Sequence, residues 1–419
     1  MDTAQKTKVA VIGLGNRGYG ELSLLLLMDD VDIVGVCDLY EDRAEAGRAL
    51  VEQQRGYSPF CTTDYRRVLE IPGLKAIVTP SSWRSHIGIC IDAMNAGIYA
   101  ATEVGGAYSL DSCWELVKTY ERTGIPCMLL ENCCYGREEM TVLNMVKNEL
   151  FGELVHASGA YQHDLRYEVT HGQENRHYRL RNFSNRNAEL YPTHELGPIS
   201  KWLDINRGNR MLSLVSIASK STGIQSYVKE KLPAEHPVQG KKFTQGDIVT
   251  TIIKCSRGET IMLEHGTSLP RPYSRANRLQ GTKGIYMEDK NYGIFIDGMS
   301  PKEEVWEHLT DYYDRYEHPL WMQYRVDGVK AGHGGMDYLV LRAFIEAVQS
   351  GTDTPIDTYD TASWMAVSIL SENSIAMGGH PVAVPDFTNG LWMERAPAVR
   401  SKYCLNEVCE EYFEFLKKN

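Results

Sequence analysis

The run Lys8-Val9-Ala10-Val11-Ile12-Gly13-Leu14-Gly15-Asn16-Arg17-Gly18 decides the fold of the first third of this chain. A short apolar stretch of strand type leads into a Gly-x-Gly-x-x-Gly turn, and an apolar helical stretch from Leu22 to Met28 follows. Gly13 permits the tight turn, Gly15 lets the backbone approach a pyrophosphate, and Gly18 lets the helix pack closely on the strand. The helix N-terminus adds unpaired N–H groups and the positive end of a dipole. This context predicts a dinucleotide-binding turn.

An acidic residue follows the next apolar stretch. Asp38 ends the stretch from Asp32 to Cys37, about twenty residues beyond the last glycine, where such folds place an acid for the adenosine ribose. A carboxylate there repels a 2′-phosphate, so Asp38 favours NAD over NADP. Arg43 is close enough in sequence to leave that choice open. The predicted cofactor is NAD.

Strand-like and helix-like segments alternate through the first third, which is typical of a parallel, doubly wound sheet. Ligands of such sheets bind beyond the carboxyl ends of the strands. The segments expected around that crevice are residues 79–83, 103–106 and 131–132.

The composition changes after a predicted helix at residues 137–150. We expect an α/β protein: an N-terminal Rossmann domain with a doubly wound parallel sheet at residues 1–131, then a C-terminal α+β substrate-binding domain at residues 132–419. The second domain is predicted to contain a large open, mainly antiparallel sheet, and late helices that can pack back on the first domain. A polar insertion at residues 163–189 is long enough to be functional or disordered. The strands expected in the open sheet are residues 153–162, 210–220, 247–255, 260–267 and 278–287.

Composition narrows the classes of partner. A length of 419 residues exceeds the usual size of one core, and a net charge of −11 disfavours nucleic acid and anionic membranes. No apolar stretch is long enough to span a membrane, and residues 1–7 lack the apolar core of a secretory signal, so we expect a cytoplasmic protein with a small-molecule ligand. The ten cysteines form no Cys-x-x-Cys pair, which predicts reduced, mostly buried thiols. No metal site is predicted, because Asp204 and Asp337 have no partners at metal-ligand spacing.

Two candidate catalytic residues lie near the middle of the chain, and each also has a structural interpretation. His194 in Tyr191-Pro192-Thr193-His194 follows a polar loop and suits proton transfer near neutral pH, although histidines are often structural. Tyr161 lies at a strand end and is equally suited to filling a core.

Two further candidate site residues also have both a functional and a structural interpretation. Glu131 follows an apolar strand, where it can act in a site or cap the next helix. Arg179 lies in the polar insertion and is nearly as well explained as a solvated loop residue.

The plan of the chain resembles the Gfo/Idh/MocA oxidoreductases, with Glu103 at their Glu-Lys-Pro position. Val104 replaces the lysine, and Leu190 replaces an aspartate four residues before the histidine. These departures match the NAD-dependent α-N-acetylgalactosaminidase family, glycoside hydrolase family 109, which the chain resembles from about residue 8 to about residue 385. The matching strings lie at residues 131–136, 161–166, 191–194, 203–210, 270–274 and 332–338.

The resemblance implies specific contacts. Besides the three glycines of the turn, NAD contacts are implied at Asn16, Arg17, Asp38, Trp83, His86, Glu103, Val104 and Asn132. Sugar contacts are implied at Tyr161, Arg179, Tyr191, His194 and Tyr273. A homodimer is also expected, because open sheets in this fold often pair.

The resemblance also implies a chemistry in which NAD is recycled and the net reaction is hydrolysis. Transient oxidation at C3 of the sugar acidifies the C2 proton, elimination releases the aglycone, and water addition and re-reduction follow. His194 is expected to take the C3 hydroxyl proton, and Tyr161 the C2 proton if its pKa is lowered. Glu131 and Tyr191 are expected to orient the sugar, activate water or assist the leaving group.

Departures from the family pattern leave the substrate open. Glu195 stands where the family has glycine, and Arg84-Ser85 replaces a Glu-Trp pair. α-N-acetylgalactosaminides are the expected substrates, with β-N-acetylgalactosaminides and other glycosides as alternatives. The alternative activities are a sugar or cyclitol dehydrogenase with net NADH production and a non-catalytic NAD(H)-binding sensor.

Overall fold

The computed structural model describes residues 6–330, 332–397 and 399–418. The first five residues of the predicted signal-free N-terminus lie outside these ranges. A six-stranded sheet forms first, in the order β3-β2-β1-β4-β5-β6, and all of its strand pairs are parallel. Its strands are β1 (Thr7–Ile12), β2 (Val31–Cys37), β3 (Phe60–Thr62), β4 (Ala76–Thr79), β5 (Tyr99–Thr102) and β6 (Cys127–Leu129).

Helices connect these strands, as the alternating pattern predicts. The buried strands are almost wholly apolar, because helices cover both faces of a doubly wound sheet. The helices of this part of the chain are α1 (Asn16–Leu25), α2 (Glu41–Arg55), α3 (Tyr65–Leu69), α4 (His86–Asn95), α5 (Leu110–Thr123) and α6 (Arg137–Lys147).

A nine-stranded sheet follows, in the order β14-β13-β12-β11-β7-β10-β9-β8-β15. All of its pairs are antiparallel except β7 with β10. The strands are β7 (Leu154–Gln162), β8 (Met211–Ala218), β9 (Val249–Cys255), β10 (Thr260–Gly266), β11 (Arg278–Gly281), β12 (Gly284–Met287), β13 (Gly293–Ile296), β14 (Glu307–His308) and β15 (Val382–Ala383). The helices of the remaining chain are α7 (Arg166–Thr170), α8 (Arg179–Asn185), α9 (Thr193–Trp202), α10 (Gly223–Lys231), α11 (Tyr313–Tyr316), α12 (Pro319–Asp327), α13 (Met336–Ser350) and α14 (Thr358–Ala376).

The chain forms two compact units. The first comprises Met1–Met140, His318–Ala362 and Ala396–Asn419, and the second comprises Thr141–Glu317 and Ser363–Arg395. The parallel sheet belongs to the first unit and the mixed sheet to the second. The expected fold class, a Rossmann sheet followed by a large, mainly antiparallel sheet, is confirmed. The predicted boundary between the two domains at residue 131 stays a prediction.

Local differences from expectation have simple causes. The segment expected as one strand at 278–287 is a hairpin, since Thr282 and Lys283 turn the chain between β11 and β12. The polar insertion contains α7 and α8 and is not an extended loop. All ten cysteines are free, and nine of them are buried. Among the described residues, no helix is both long and apolar enough to cross a bilayer.

Candidate functional site

The glycine turn of the first unit leaves space where a ligand can approach. Gly13 has φ +107°, and a Cβ there would lie 2.8 Å from the backbone of Ser81. A Cβ on Gly15 would meet nothing closer than an Arg43 nitrogen at 3.6 Å. Gly15 is the N-cap of α1, with no side-chain cap and no acidic residue in the first turn. The backbone N–H groups there suit a bound anion.

Asp38 fixes the shape of this turn. Its two carboxylate oxygens accept backbone hydrogen bonds from Leu14, at 2.6 Å, and from Tyr40, at 2.9 Å. The guanidinium of Arg43 lies over the Tyr40 ring, 5.1 Å from its centroid. The predicted contact of Asp38 with a ribose is a second use of the same carboxylate, since each oxygen has two lone pairs.

A group of paired side chains, here called the charged cluster, lies beside the turn. Arg17 donates from Nε and Nη2 to Glu103 Oε1 at 3.0 and 2.9 Å. It also donates from Nη1 and Nη2 to the two oxygens of Asp337 at 2.7 and 3.1 Å. Asp337 further accepts from Asn132 Nδ2 at 2.6 Å and lies 2.7 Å from His333 Nδ1. The Asp337 carboxylate therefore joins Arg17 to Asn132, and Arg17 in turn binds Glu103, so three of the predicted NAD residues are connected.

Electrostatics in the charged cluster favour paired charges. Burial disfavours the Arg17 cation, but the charges of Glu103, Glu21 and Asp337 raise its pKa. Burial also raises the pKa of Glu21 well above its usual range, and nearby Glu103 adds to the shift. The pKa of Asp337 is lowered, because bonds to His333 and Arg17 outweigh its burial. These shifts favour the neutral form of Glu21 and the charged forms of Arg17 and Asp337.

The predicted cofactor residues after β4 and β5 are mostly buried. Trp83 packs on Gly105, where a Cβ would lie 2.3 Å from the indole nitrogen. His86 Nε2 lies 2.9 Å from the Ser81 carbonyl oxygen, and burial lowers the pKa of His86 to about 4. The Val104 N–H donates to Glu103 Oε2 at 3.2 Å. Asn16, in contrast, is exposed at the start of α1.

Glu131 is fully buried in the first unit and has a local structural role. Its Oε1 accepts from the backbone N–H of Cys133 at 3.0 Å, so it caps the short 3-10 turn Asn132–Tyr135. The capping interpretation concerned the helix at Arg137, whereas Glu131 caps the short turn that precedes that helix. Its predicted catalytic role stays a prediction.

In the second unit, rings surround Tyr161 at the end of β7. This aromatic cluster consists of Tyr161, His163, Tyr191, His194, His265 and Tyr273. The ring centroid of Tyr161 lies 4.4 Å from that of Tyr191 and 5.6 Å from that of His194. It lies 6.2 Å from those of Tyr273 and His265. The structure thus brings together the predicted sugar residues on β7, on the loop before α9, on α9 and after β10.

Arg179 lies over the same rings. Its guanidinium carbon is 5.1 Å from the centroid of Tyr191 and 5.9 Å from that of Tyr161. Its Nε lies 2.9 Å from Glu168 Oε1, so the two helices of the polar insertion are joined by an ion pair. Arg179 is 8% exposed, which rules out the solvated-loop interpretation.

His194 and Glu195 begin α9 with different exposures. His194 is partly exposed beside Tyr161, whereas Glu195 is fully buried. A Cβ on Gly159 would lie 2.5 Å from the Glu195 Cβ, so this glycine makes room for Glu195 against β7. The charge of Glu195 also contributes to raising the pKa of Tyr161, after the larger effect of burial.

The condition attached to the role of Tyr161, a lowered pKa, is not met by the phenol alone. Burial raises the pKa of Tyr161, although Arg179 opposes the shift by its charge and by a side-chain hydrogen bond. The phenol is therefore neutral. Proton abstraction by Tyr161 requires a group that takes the phenolic proton.

Sequence reasoning missed two residues that the structure makes central. From sequence, Asp337 is weighed only as a metal ligand, whereas in the structure it joins Arg17, Asn132 and His333. No role is assigned from sequence to His163, which lies within the matching string at residues 161–166 and whose Nδ1 lies 3.2 Å from the Tyr161 hydroxyl.

Comparisons with known proteins agree with this architecture. Residues 135–394 match the family described as glycosyl hydrolase 109, C-terminal domain. A glycosyl hydrolase family 109 protein from Stenotrophomonas maltophilia is 41% identical, over 94% of this chain and 91% of its own length. An alpha-N-acetylgalactosaminidase from Tannerella forsythia is 38% identical, over 92% of this chain and 87% of its own.

Solved structures share the fold. The crystal structure of an NAD-binding oxidoreductase from Klebsiella pneumoniae superposes with a TM-score of 0.71 at 13% identity, over 91% of this chain and 100% of the other. The family match covers more than half of the chain, and the relatives match it nearly end to end at about 40% identity. The chain belongs to glycosyl hydrolase family 109.

Proposed function

We propose that this protein is a glycosidase that uses bound NAD as a recycled cofactor, with α-N-acetylgalactosaminides as substrates. The observation that carries the proposal is the aromatic cluster, in which Tyr161, Tyr191, His194 and Tyr273 meet beneath Arg179. Rings suit the apolar face of a sugar, while the histidine and the phenols supply groups that move protons. The relative named alpha-N-acetylgalactosaminidase supports the choice of sugar.

The glycine turn fits NAD. The uncapped N-terminus of α1 and the open space at Gly15 suit a pyrophosphate, and Asp38 stands at the end of β2, where a ribose is held. The charged cluster would fix Arg17, Glu103 and Asn132 beside it. Bound NAD⁺ supplies reversible oxidation at C3 of the sugar, which makes the neighbouring C2 proton acidic and leaves no net NADH.

The residues of the second unit have separate tasks in this proposal. His194, partly exposed at the N-terminus of α9, takes the C3 hydroxyl proton. Tyr161 exchanges the C2 proton, and Tyr191 packs on it at 4.4 Å and orients the sugar. Arg179 stabilises negative charge on the phenols and on the oxygen of the sugar ketone. Glu131, which belongs to the first unit, is assigned the activation of water or assistance to the leaving group.

Removal and return of the cofactor tests this proposal. The protein is stripped of NAD and incubated with p-nitrophenyl α-N-acetylgalactosaminide, and nitrophenol release is followed with and without added NAD⁺. We expect release that depends on NAD⁺ and is much slower with the β-anomer. Equal release without NAD⁺, verified by mass spectrometry of the stripped protein, would contradict the cofactor, and faster cleavage of the β-anomer would contradict the substrate.

A further inference from the structure

The hydroxyl of Tyr161 has a hydrogen-bond partner in the second unit that the proposed function does not yet use. Tyr161 Oη lies 3.2 Å from His163 Nδ1, and the two rings meet edge to face with centroids 5.9 Å apart. Tyr161 lies on β7 and His163 lies one residue beyond the end of that strand, with Gln162 between them in sequence. A neutral imidazole with its proton on Nε2 accepts a hydrogen bond at Nδ1.

Backbone contacts on two sides hold His163 in place. Its N–H donates to the Gly266 carbonyl at the end of β10 at 3.1 Å. The preceding residue, Gln162, exchanges backbone hydrogen bonds with Ser274 at 2.9 and 3.1 Å. This pairing brings the Tyr273 ring to 5.2 Å from the imidazole, centroid to centroid. His163 is therefore fixed between Tyr161 and Tyr273 while remaining partly exposed.

We propose that His163 is a positioning and proton-accepting residue for Tyr161, so that the pair acts as the base toward the C2 proton. The inference rests on the proposed function. Arg179, which hydrogen-bonds to the phenol, stabilises the charge that forms on its oxygen. His163 has no contact with the sugar in this scheme and acts through Tyr161.

The proton step balances within these groups. The C2–H bond breaks as its proton moves to the Tyr161 oxygen, and in the same step the phenolic proton moves to His163 Nδ1. The electron pair left on C2 is shared with the C3 carbonyl, then forms the C1–C2 double bond as the C1–O bond breaks. The aglycone oxygen leaves with the pair of that bond. The same two residues return a proton to C2 after water has added.

Charges around His163 favour its neutral form. Burial lowers the pKa of His163, and the Arg179 cation lowers it further, whereas Glu168 and Asp164 oppose the shift. His194 also lowers it. A neutral imidazole is the form that can accept a proton. The groups that face His163 are Tyr161, Asp164, Glu168, Arg179, His194 and Tyr273.

Two variants of His163 distinguish a residue that only accepts a hydrogen bond from one that also takes up a proton. His163→Asn keeps a hydrogen-bond acceptor near the Nδ1 position but cannot become charged, and His163→Leu removes both properties. His380→Asn, at an exposed position of the second unit, is the matched control. With nitrophenyl α-N-acetylgalactosaminide we expect His163→Asn to lower kcat about 100-fold, as general-base loss does, with KM changed less than about threefold.

The pH profile gives a readout that a merely structural role would not move. Since protonated His163 cannot accept the phenolic proton, the kcat ratio of wild type to His163→Asn should fall toward one as the pH decreases below the ordinary range of histidine. The ratio cancels groups that both proteins share, His194 included. A ratio that is constant with pH, or a fully active His163→Asn, would overturn the proposal.

Nitrogen-15 NMR of histidine-labelled protein tests the hydrogen bond without turnover. The His163 resonances are assigned by their loss in His163→Asn. Tyr161→Phe should shift the Nδ1 resonance, and an unchanged resonance would overturn the pair. If the wild type releases no nitrophenol with NAD⁺ present, the proposed function fails, while the NMR result still decides whether Tyr161 and His163 are paired.

Discussion

The charged cluster of the first unit and the aromatic cluster of the second unit differ in what their polar groups contact. Arg17 binds two carboxylates with its full fork, and Asp337 collects four donor contacts from three residues. Around Tyr161, in contrast, neutral rings lie beside one buried cation, Arg179. Fixed charge pairs suit binding, whereas neutral phenols and imidazoles suit proton exchange. In our proposal, the first region binds the cofactor and the second carries out the chemistry.

The strongest way to break this comparison is to remove a single oxygen from the aromatic cluster. Tyr161→Phe should lower kcat by about 10²–10⁴-fold, because the phenol exchanges the C2 proton. The absorbance of reduced nicotinamide should still appear on mixing with substrate, since oxidation at C3 precedes that step. Tyr167→Phe, at an exposed ring stacked on His171, is the control and should be fully active. A fully active Tyr161→Phe would remove Tyr161 from the mechanism.

A substitution in the charged cluster should lower the free energy of unfolding. Arg17→Met leaves the buried carboxylates of Glu103 and Asp337 without their cation, and breaking such a pair costs about 3–5 kcal/mol. Chemical denaturation of the NAD-free protein measures the free energy of unfolding. Arg48→Met removes an exposed arginine paired with Glu45 and Glu52, and it should cost less than about 1 kcal/mol. Equal losses of unfolding free energy in the two variants would show that the charged cluster stabilises the protein no more than an exposed ion pair does.

A smaller effect should distinguish the nucleotides. Asp38→Asn keeps an acceptor for one of the two backbone N–H groups and removes the charge that repels a 2′-phosphate, while Arg43 remains. We expect the preference for NAD over NADP to fall by about tenfold, which corresponds to about 1.4 kcal/mol. Isothermal titration with both nucleotides measures it. An unchanged ratio would assign the choice to Arg43 or to other groups.

The smallest effect concerns a buried acid behind the aromatic cluster. Glu189 accepts from the Tyr191 N–H at 3.3 Å, and burial raises its pKa to about 8. A raised folded-state pKa gives stability that is complete below the unfolded value of 4.5 and is lost as the pH rises through about 8. Glu189→Gln should flatten this decline, as measured by denaturation at several pH values. Glu235→Gln, at an exposed glutamate, should keep the wild-type slope.

The first region could be predicted from sequence more fully than the second, for a physical reason. The glycine turn, β2 and Asp38 form one local unit whose spacing is fixed by strand, turn and helix geometry. The convergence of Tyr161, Arg179, His194 and Tyr273 depends on tertiary packing between distant elements. Those residues were identified by resemblance to a family, and spacing alone left Arg179 as a loop arginine.

Protonation was the least predictable feature. The proposed role of Tyr161 is conditional on a lowered pKa, whereas burial by residues far away in sequence raises the pKa of Tyr161. The role of Asp337 was hidden in the same way, because Arg17 and Asn132 reach it only in the folded chain.

The most direct test of the account is a ratio: moles of nitrophenol released to moles of NADH accumulated, with NAD-loaded protein and p-nitrophenyl α-N-acetylgalactosaminide. The account predicts many turnovers of nitrophenol with no net NADH. Stoichiometric NADH without release of nitrophenol would contradict it and establish a dehydrogenase.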